Sequence, residues 1–95
     1  MSLYRYKDGT KVVAMQVKDM VPGLRHYKCV PRWAFKIIQS RKFVSAGKEL
    51  HLCTHKGWQQ VAESDWVIMS RNRIHLCGDD SFHLVHTPWE DKKSS

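Results

Sequence analysis

Histidine and cysteine alternate along one short segment, His51-x-Cys53-x-His55, and a second such pair follows at His75 and Cys77. In an extended strand, residues two apart project from the same face, so the first three side chains share a face. Imidazole and thiolate are good zinc ligands, and His75 or Cys77 on a neighbouring strand could add a fourth. Alternate residues on one strand are, however, roughly 6.5–7 Å apart, whereas zinc holds its ligands at about 2.0–2.3 Å. We therefore expect no metal; if zinc binds, the ligands are His51, Cys53, His55 and His75.

The same residues could also serve nucleophilic catalysis. Cys53 beside His51 or His55, or Cys77 beside His75, would supply a thiol and a base. A Cys–His catalyst also needs a group that orients the base and donors for an oxyanion, and no sequence pattern supplies either of them. The glycines occur singly at predicted turns, so the sequence contains no phosphate-binding loop. We therefore expect no catalytic residues and no cofactor.

A third group combines cations with an aromatic ring and could bind a partner. Its members lie in the first half of the chain: Arg25, Lys28, Arg32, Phe35, Lys36 and Lys42. Cations can contact phosphates, and an aromatic ring among them can stack on a base. A solvated helix face has the same composition, so partner binding by this set is a hypothesis.

The basic group is positioned by the strongest helix prediction in the chain. Pro31 suits a first helical position, and the helix is predicted to run from Pro31 to about Lys42. At about 100° per residue, Arg32, Lys36 and Gln39 fall on one side of this helix. The opposite, apolar side consists of Val30, Trp33, Ala34, Ile37 and Ile38.

Alternating apolar and polar residues predict strands elsewhere in the chain. One such segment, residues 11–17, precedes the helix, and four follow Gly47, at residues 49–54, 58–62, 65–69 and 73–77. Residues 82–86 fit either a last strand or a short helix. The predicted fold class is α+β, with one helix packed on a mostly antiparallel sheet of about five to six strands. The residues expected in the core with the helix are Leu50, Leu52, Ile74, Leu76, Trp33, Trp58 and Trp66.

Composition places these elements in one small basic domain. The 95 residues suffice for a single domain, 1–95, with an ordered core at about 4–90 and a frayed tail at 91–95. Sixteen Lys and Arg against nine Asp and Glu give a net charge of +7, which favours acidic partners. No apolar run reaches the ~20 residues of a membrane span, and no secretory signal begins the chain. An odd number of cysteines without such a signal indicates reduced thiols in the cytoplasm.

Four segments follow one another along the chain in a distinctive order: Lys11-Val12-Val13-Ala14-Met15-Gln16, Pro31-Arg32-Trp33, Glu63-Ser64-Asp65-Trp66-Val67-Ile68, and Cys77 with Asp80 and Phe82. In this order they resemble a family of small proteins encoded by phages and prophages. Members of that family carry a basic start and a Val-rich strand, a Pro-x-Trp helix start, a Pro-Gly-Asp-Tyr/Trp-Ile-Ile signature and a closing Cys-x-x-Asp-x-Phe. Glu63-Ser64 stands in place of Pro-Gly. The resemblance implies a small α+β fold and a phage origin, and it implies no reaction or ligand.

Small size, a basic surface and this resemblance favour a non-catalytic phage accessory protein that binds a host macromolecule in the host cytoplasm. We expect a host protein as the partner, because the basic residues are spread along the chain instead of forming one dense track. The first alternative is a nucleic-acid-binding protein that uses the basic helix face. The second alternative is a small zinc or Cys–His enzyme. No membrane partner is expected, and the sequence leaves the oligomeric state open.

Overall fold

A computed structural model describes residues 3–71 and 73–88 of the chain. These residues form three α-helices, two short 3-10 turns and eight strands. The helices are α1 (Val17–Met20), α2 (Arg32–Gln39) and α3 (Asp79–Val85), and the 3-10 turns span Val21–Leu24 and Tyr27–Cys29. The strands are β1 (Leu3–Tyr6), β2 (Lys11–Gln16), β3 (Phe43–Ala46), β4 (Glu49–Thr54), β5 (Gly57–Val61), β6 (Trp66–Ser70), β7 (Arg73–Cys77) and β8 (His86–Pro88). The tail predicted at residues 91–95 lies outside the described residues.

The strands form two antiparallel sheets. The large sheet has the order β7-β6-β2-β1-β8, and the small sheet has the order β3-β4-β5. Every strand pair is antiparallel, which confirms the predicted α+β class with mostly antiparallel strands. The structure divides the strands between two sheets. The elements β1, β3, β8 and α1 were not predicted from the sequence. Residues 82–86, for which the sequence fitted either a strand or a short helix, form the end of α3 and the first residue of β8.

Helix α2 is shorter at both ends than the predicted 31–42. Pro31 is the residue before the helix, with an extended backbone, and its carbonyl accepts a hydrogen bond from the Phe35 amide at 3.0 Å. The helix ends early because Arg41 adopts a left-handed conformation with φ 60°. Lys42 then pairs with β4, where its carbonyl accepts from the Cys53 amide at 2.7 Å. The chain therefore passes from α2 into β3 within three residues.

The main core lies between the two sheets, α1 and α2. Its buried residues are Val17, Met20, Ala34, Ile37, Phe43, Leu52, Val61, Val67 and Ile74. Half-buried side chains surround them, among them Trp33, Ile38, Leu50 and Leu76. The apolar face predicted for the helix and the four predicted aliphatic partners thus all belong to this core.

A second core covers the opposite face of the large sheet, where α3 packs. The ring of Phe82 is fully buried and stacks on Trp66 with centroids 3.9 Å apart. Tyr4 meets both rings edge-on, at 5.0 and 5.5 Å. At the start of α3, the Asp79 carboxylate accepts a hydrogen bond from the indole N–H of Trp66 at 2.8 Å. Stacking and this hydrogen bond together anchor α3 on β6.

Candidate functional site

Helix α2 exposes two cations on the face that points away from the core. Arg32 and Lys36 are four residues apart, so they are neighbours on the helix surface, and both are exposed. Ala34 and Ile37, on the other side, are buried. Phe35 lies next to the two cations but is half-buried, so its ring is only partly accessible for stacking on a partner.

The segment before α2 carries two more exposed cations, Arg25 and Lys28. Arg25 directly follows the first 3-10 turn, Lys28 lies in the second, and the first turn packs against both the second turn and α2. Gly23 permits this packing, since a Cβ there would come within 2.8 Å of Val30 and 2.9 Å of Ile38. The close approach holds these two cations on the same packed unit as those of α2.

The C-terminal end of α2 extends the basic region toward the small sheet. Arg41 and Lys42 are both exposed. The Lys42 amide donates to the Ile37 carbonyl at 3.1 Å, while the Lys42 carbonyl accepts from Cys53 of β4. Lys42 is therefore held by the helix on one side and by the small sheet on the other. We call the six exposed cations of this region the basic surface: Arg25, Lys28, Arg32, Lys36, Arg41 and Lys42.

The charge of the chain is concentrated in this region. Residues 20–48 contain seven Lys and Arg and no Asp or Glu, whereas the rest of the chain carries nine basic and nine acidic residues. The full net charge of +7 therefore resides in one segment. Within the described residues, none of the six cations of the basic surface forms a salt bridge. A count of charge by segment would have revealed this concentration of net charge from the sequence, although nine of the sixteen Lys and Arg lie elsewhere and the basic residues are spread along the chain as expected.

Trp58 is the one predicted core residue whose placement is wrong. Its side chain is 57% exposed, whereas Trp66 is 8% exposed and Trp33 is half-buried. Val61 of the same strand is buried in the main core. Because side chains alternate along a strand, an inward Val61 turns Trp58 outward. Trp58 thus lies on the outer face of the small sheet, opposite Cys53 of β4.

The histidines and cysteine of β4 do not converge on one point. His51 and Cys53 share the outer face of the small sheet, where His51 Nε2 is 3.2 Å from the Glu49 carboxylate. His55 lies beyond the end of β4, in the turn before β5, and points toward β7. Within residues 3–71 and 73–88, no group of three or more His, Cys, Asp or Glu side chains is arranged to hold a metal ion.

His55 and His75 are brought together where the two sheets meet. The backbone amide and Nδ1–H of His55 both donate to the Ile74 carbonyl, each at 3.0 Å. The two imidazole rings lie 4.3 Å apart. Burial lowers the pKa of His75, and electrostatic interaction with His55, Arg73 and Lys56 lowers it further. The pair therefore favours a neutral His75 and links β4 to β7.

A cleft of about 460 Å³ opens on the large sheet beside α3. Its polar lining residues are Tyr6, Asp8, Thr10, Ser70, Arg71, His75, Cys77 and His86. His75 and Cys77 alternate on β7 and so project into it from the same face. Burial, reinforced by the Asp65 carboxylate, raises the pKa of the Cys77 thiol. His75 and Cys77 therefore favour a neutral imidazole and a protonated thiol. The protonated thiol is the weakly nucleophilic form of cysteine.

Comparisons with known protein families, curated proteins and solved structures each find no match to this chain. The resemblance to phage-encoded proteins therefore stays a hypothesis that depends on the motifs alone. Among the described residues, no helix has the length and apolar character needed to cross a membrane.

Proposed function

We propose that this protein is a non-catalytic binding protein that docks an anionic macromolecule on its basic surface. The resemblance to phage-encoded proteins suggests that this macromolecule belongs to a host cell. The observation that carries the proposal is the concentration of the full net charge of +7 in residues 20–48. A single-sign patch of this kind attracts polyanions and accelerates their association.

The local structure supports this role because it presents the charges without neutralising them. The salt bridges within the described residues involve only histidines, His51 with Glu49 and His83 with Asp79. The cations of the basic surface extend from packed 3-10 turns and a helix whose other side is buried in the main core. The backbone that carries them is therefore ordered before a partner arrives, which lowers the entropy lost on binding.

Acidic proteins and nucleic acids both fit this surface by charge. Nine of the sixteen Lys and Arg lie outside residues 20–48, a spread that favours a host protein, whereas the lack of acidic residues within this segment suits either class. The salt dependence of binding distinguishes the two classes, because each phosphate of a single strand adds about 0.7 to the slope of log affinity against log salt.

Charge reversal on α2 tests the proposal. The double variant Arg32→Glu with Lys36→Glu is compared with Lys7→Glu with Arg73→Glu, which changes the net charge equally at exposed residues outside the segment. Binding to a single-stranded oligonucleotide and to an acidic polypeptide is measured over a series of salt concentrations. For the oligonucleotide, the α2 variant should reduce the slope by about 1.4, two phosphate contacts, and the control should retain most of the affinity.

Two results would contradict the proposal. Equal loss of affinity in both variants would mean that total charge, and not the basic surface, attracts the polyanion. Absence of binding to either polyanion at low salt would mean that the basic surface is only a solvated face.

A further inference from the structure

The outer face of the small sheet presents a large aromatic ring to solvent. Trp58 is 57% exposed, and its outward neighbour on β5, Gln60, is exposed as well. On β4 the outward residues His51 and Cys53 are half-buried. A single exposed apolar side chain is common on protein surfaces and means little alone, so its surroundings decide its significance.

Two lysines flank this ring at the same end of the sheet. Cys53 pairs with Trp58 on one side, and on the other its amide donates to the carbonyl of Lys42, just before β3, at 2.7 Å. The backbones of these three residues therefore follow one another across the sheet. With adjacent strands about 4.8 Å apart, the backbone of Lys42 lies about 10 Å from that of Trp58. Lys56 occupies the turn between β4 and β5, two residues before Trp58, and is exposed.

The turn that carries Lys56 is well defined. The Thr54 hydroxyl accepts from the Lys56 amide and donates to the Gly57 carbonyl, both at 3.1 Å. Gly57 has a φ of 111°, which a residue with a side chain rarely adopts. Lys56 and Trp58 are consequently held at a set spacing by the backbone and by a buried threonine.

We propose that this end of the small sheet binds single-stranded nucleic acid, with a base stacked on the indole of Trp58 and neighbouring phosphates contacting Lys42 and Lys56. The inference rests on the proposed function, because Lys42 is the last cation of the basic surface and joins it to Trp58. A bound strand runs from Trp58 along Lys42 toward Lys36 and Arg32. It runs away from the far end of the small sheet, where Glu49 places a carboxylate.

A single strand fits this arrangement better than the other polyanions do. A base in a duplex already stacks on its neighbours, so only an unpaired base offers its face to an indole. An acidic polypeptide supplies carboxylates for the lysines, but it offers a ring to Trp58 only where an aromatic residue lies beside them, whereas every nucleotide carries a base next to a phosphate. Stacking of a base on an aromatic side chain contributes about 1–3 kcal/mol and tolerates every base, so the predicted binding is independent of sequence.

Anisotropy of a fluorescein-labelled oligothymidylate tests the inference in the full chain. Trp58→Ala should weaken binding about 5- to 150-fold, and Trp58→Phe should restore much of the loss because a phenyl ring still stacks. The matched control is Leu84→Ala on α3, which removes an equally apolar side chain that is 83% exposed. This control should bind like the wild-type protein, and the melting temperature of each variant verifies its fold.

The outcomes separate this inference from the proposed function. If Trp58→Ala binds the oligonucleotide as tightly as wild type while the α2 charge reversal weakens binding, the basic surface acts alone and stacking is refuted. If an acidic polypeptide binds as tightly as the oligonucleotide and displaces it, the partner is a protein and the inference fails, whereas the proposed function stands. If neither polyanion binds, both fail.

Discussion

Replacing Phe82 with alanine tests whether α3 and the large sheet form one cooperative core. Phe82 is fully buried and lies at the centre of an aromatic cluster. Its ring stacks on Trp66 at 3.9 Å and on His86 at 4.4 Å, and Tyr4 meets it edge-on at 5.0 Å. The substitution removes the whole ring and leaves these three neighbours facing a cavity.

The expected loss follows from this burial. Truncating a fully buried phenylalanine costs about 3–5 kcal/mol, which includes the transfer free energy of the ring and the cavity left behind. Each aromatic pair adds about 0.5–1.5 kcal/mol beyond area burial. With three such neighbours, we place Phe82→Ala in the upper half of that range, at about 4–5 kcal/mol. A domain of this size has a free energy of unfolding of roughly 5–15 kcal/mol, so much of its stability disappears.

Urea unfolding followed by far-UV circular dichroism measures this loss, and near-UV circular dichroism reports the environment of Trp66. Leu84→Ala is the matched control, because Leu84 lies two residues along the same helix and is 83% exposed. The control should change the free energy of unfolding by less than about 0.5 kcal/mol. A loss below about 1 kcal/mol for Phe82→Ala would refute the reasoning, since α3 would then not be packed on β6 as described.

Two further predictions concern histidines and cysteines. Burial lowers the pKa of both His75 and His86. Below a pH of about 6.5 the unfolded chain therefore binds more protons at these histidines than the folded protein does. The free energy of unfolding, measured by urea, should therefore fall as the pH drops from about 7 to about 5, and His86→Gln should flatten that profile; a flat wild-type profile would contradict the assignment. We also expect purified protein to contain three reduced cysteines and no stoichiometric zinc. An alkylating reagent should react faster with exposed Cys29 than with Cys77, because burial raises the pKa of the Cys77 thiol and less of it is thiolate. Mass spectrometry and elemental analysis check this, and one zinc per chain would favour the enzyme alternative.

The sequence by itself determined the local elements whose apolar pattern is strong. The change from a helical to an alternating pattern around Gly47 predicted α2 and the strands β4 to β7 to within a few residues. It also predicted which side of α2 is buried, through Ala34 and Ile37. These features could be predicted because the side-chain period of a helix or strand is set by backbone geometry, which acts over a few residues.

The basic residues of the candidate site were also visible in the sequence, but their combination with Trp58 was not. Arg32 and Lys36 share a helix face by spacing alone. Trp58 and Lys42 come into one row only through the pairing of β3, β4 and β5. The apolar character of Trp58 predicted a buried side chain. In the structure Val61 faces the core, and Trp58, on the alternate face of β5, is exposed to solvent.

Only the tertiary structure decided how the strands are shared between two sheets. Strand β1, Leu3–Tyr6, has only four residues, too few for a clear alternating pattern, yet it pairs with both β2 and β8. Residues 82–86 end α3 and begin β8, because Phe82 is held by Trp66 while His86 pairs with Tyr6. Likewise, His55 meets His75 only because β4 packs against β7. Strand pairing joins residues far apart in the chain through backbone hydrogen bonds that every sequence can make, so the local pattern predicts that a strand forms but not which strand lies beside it.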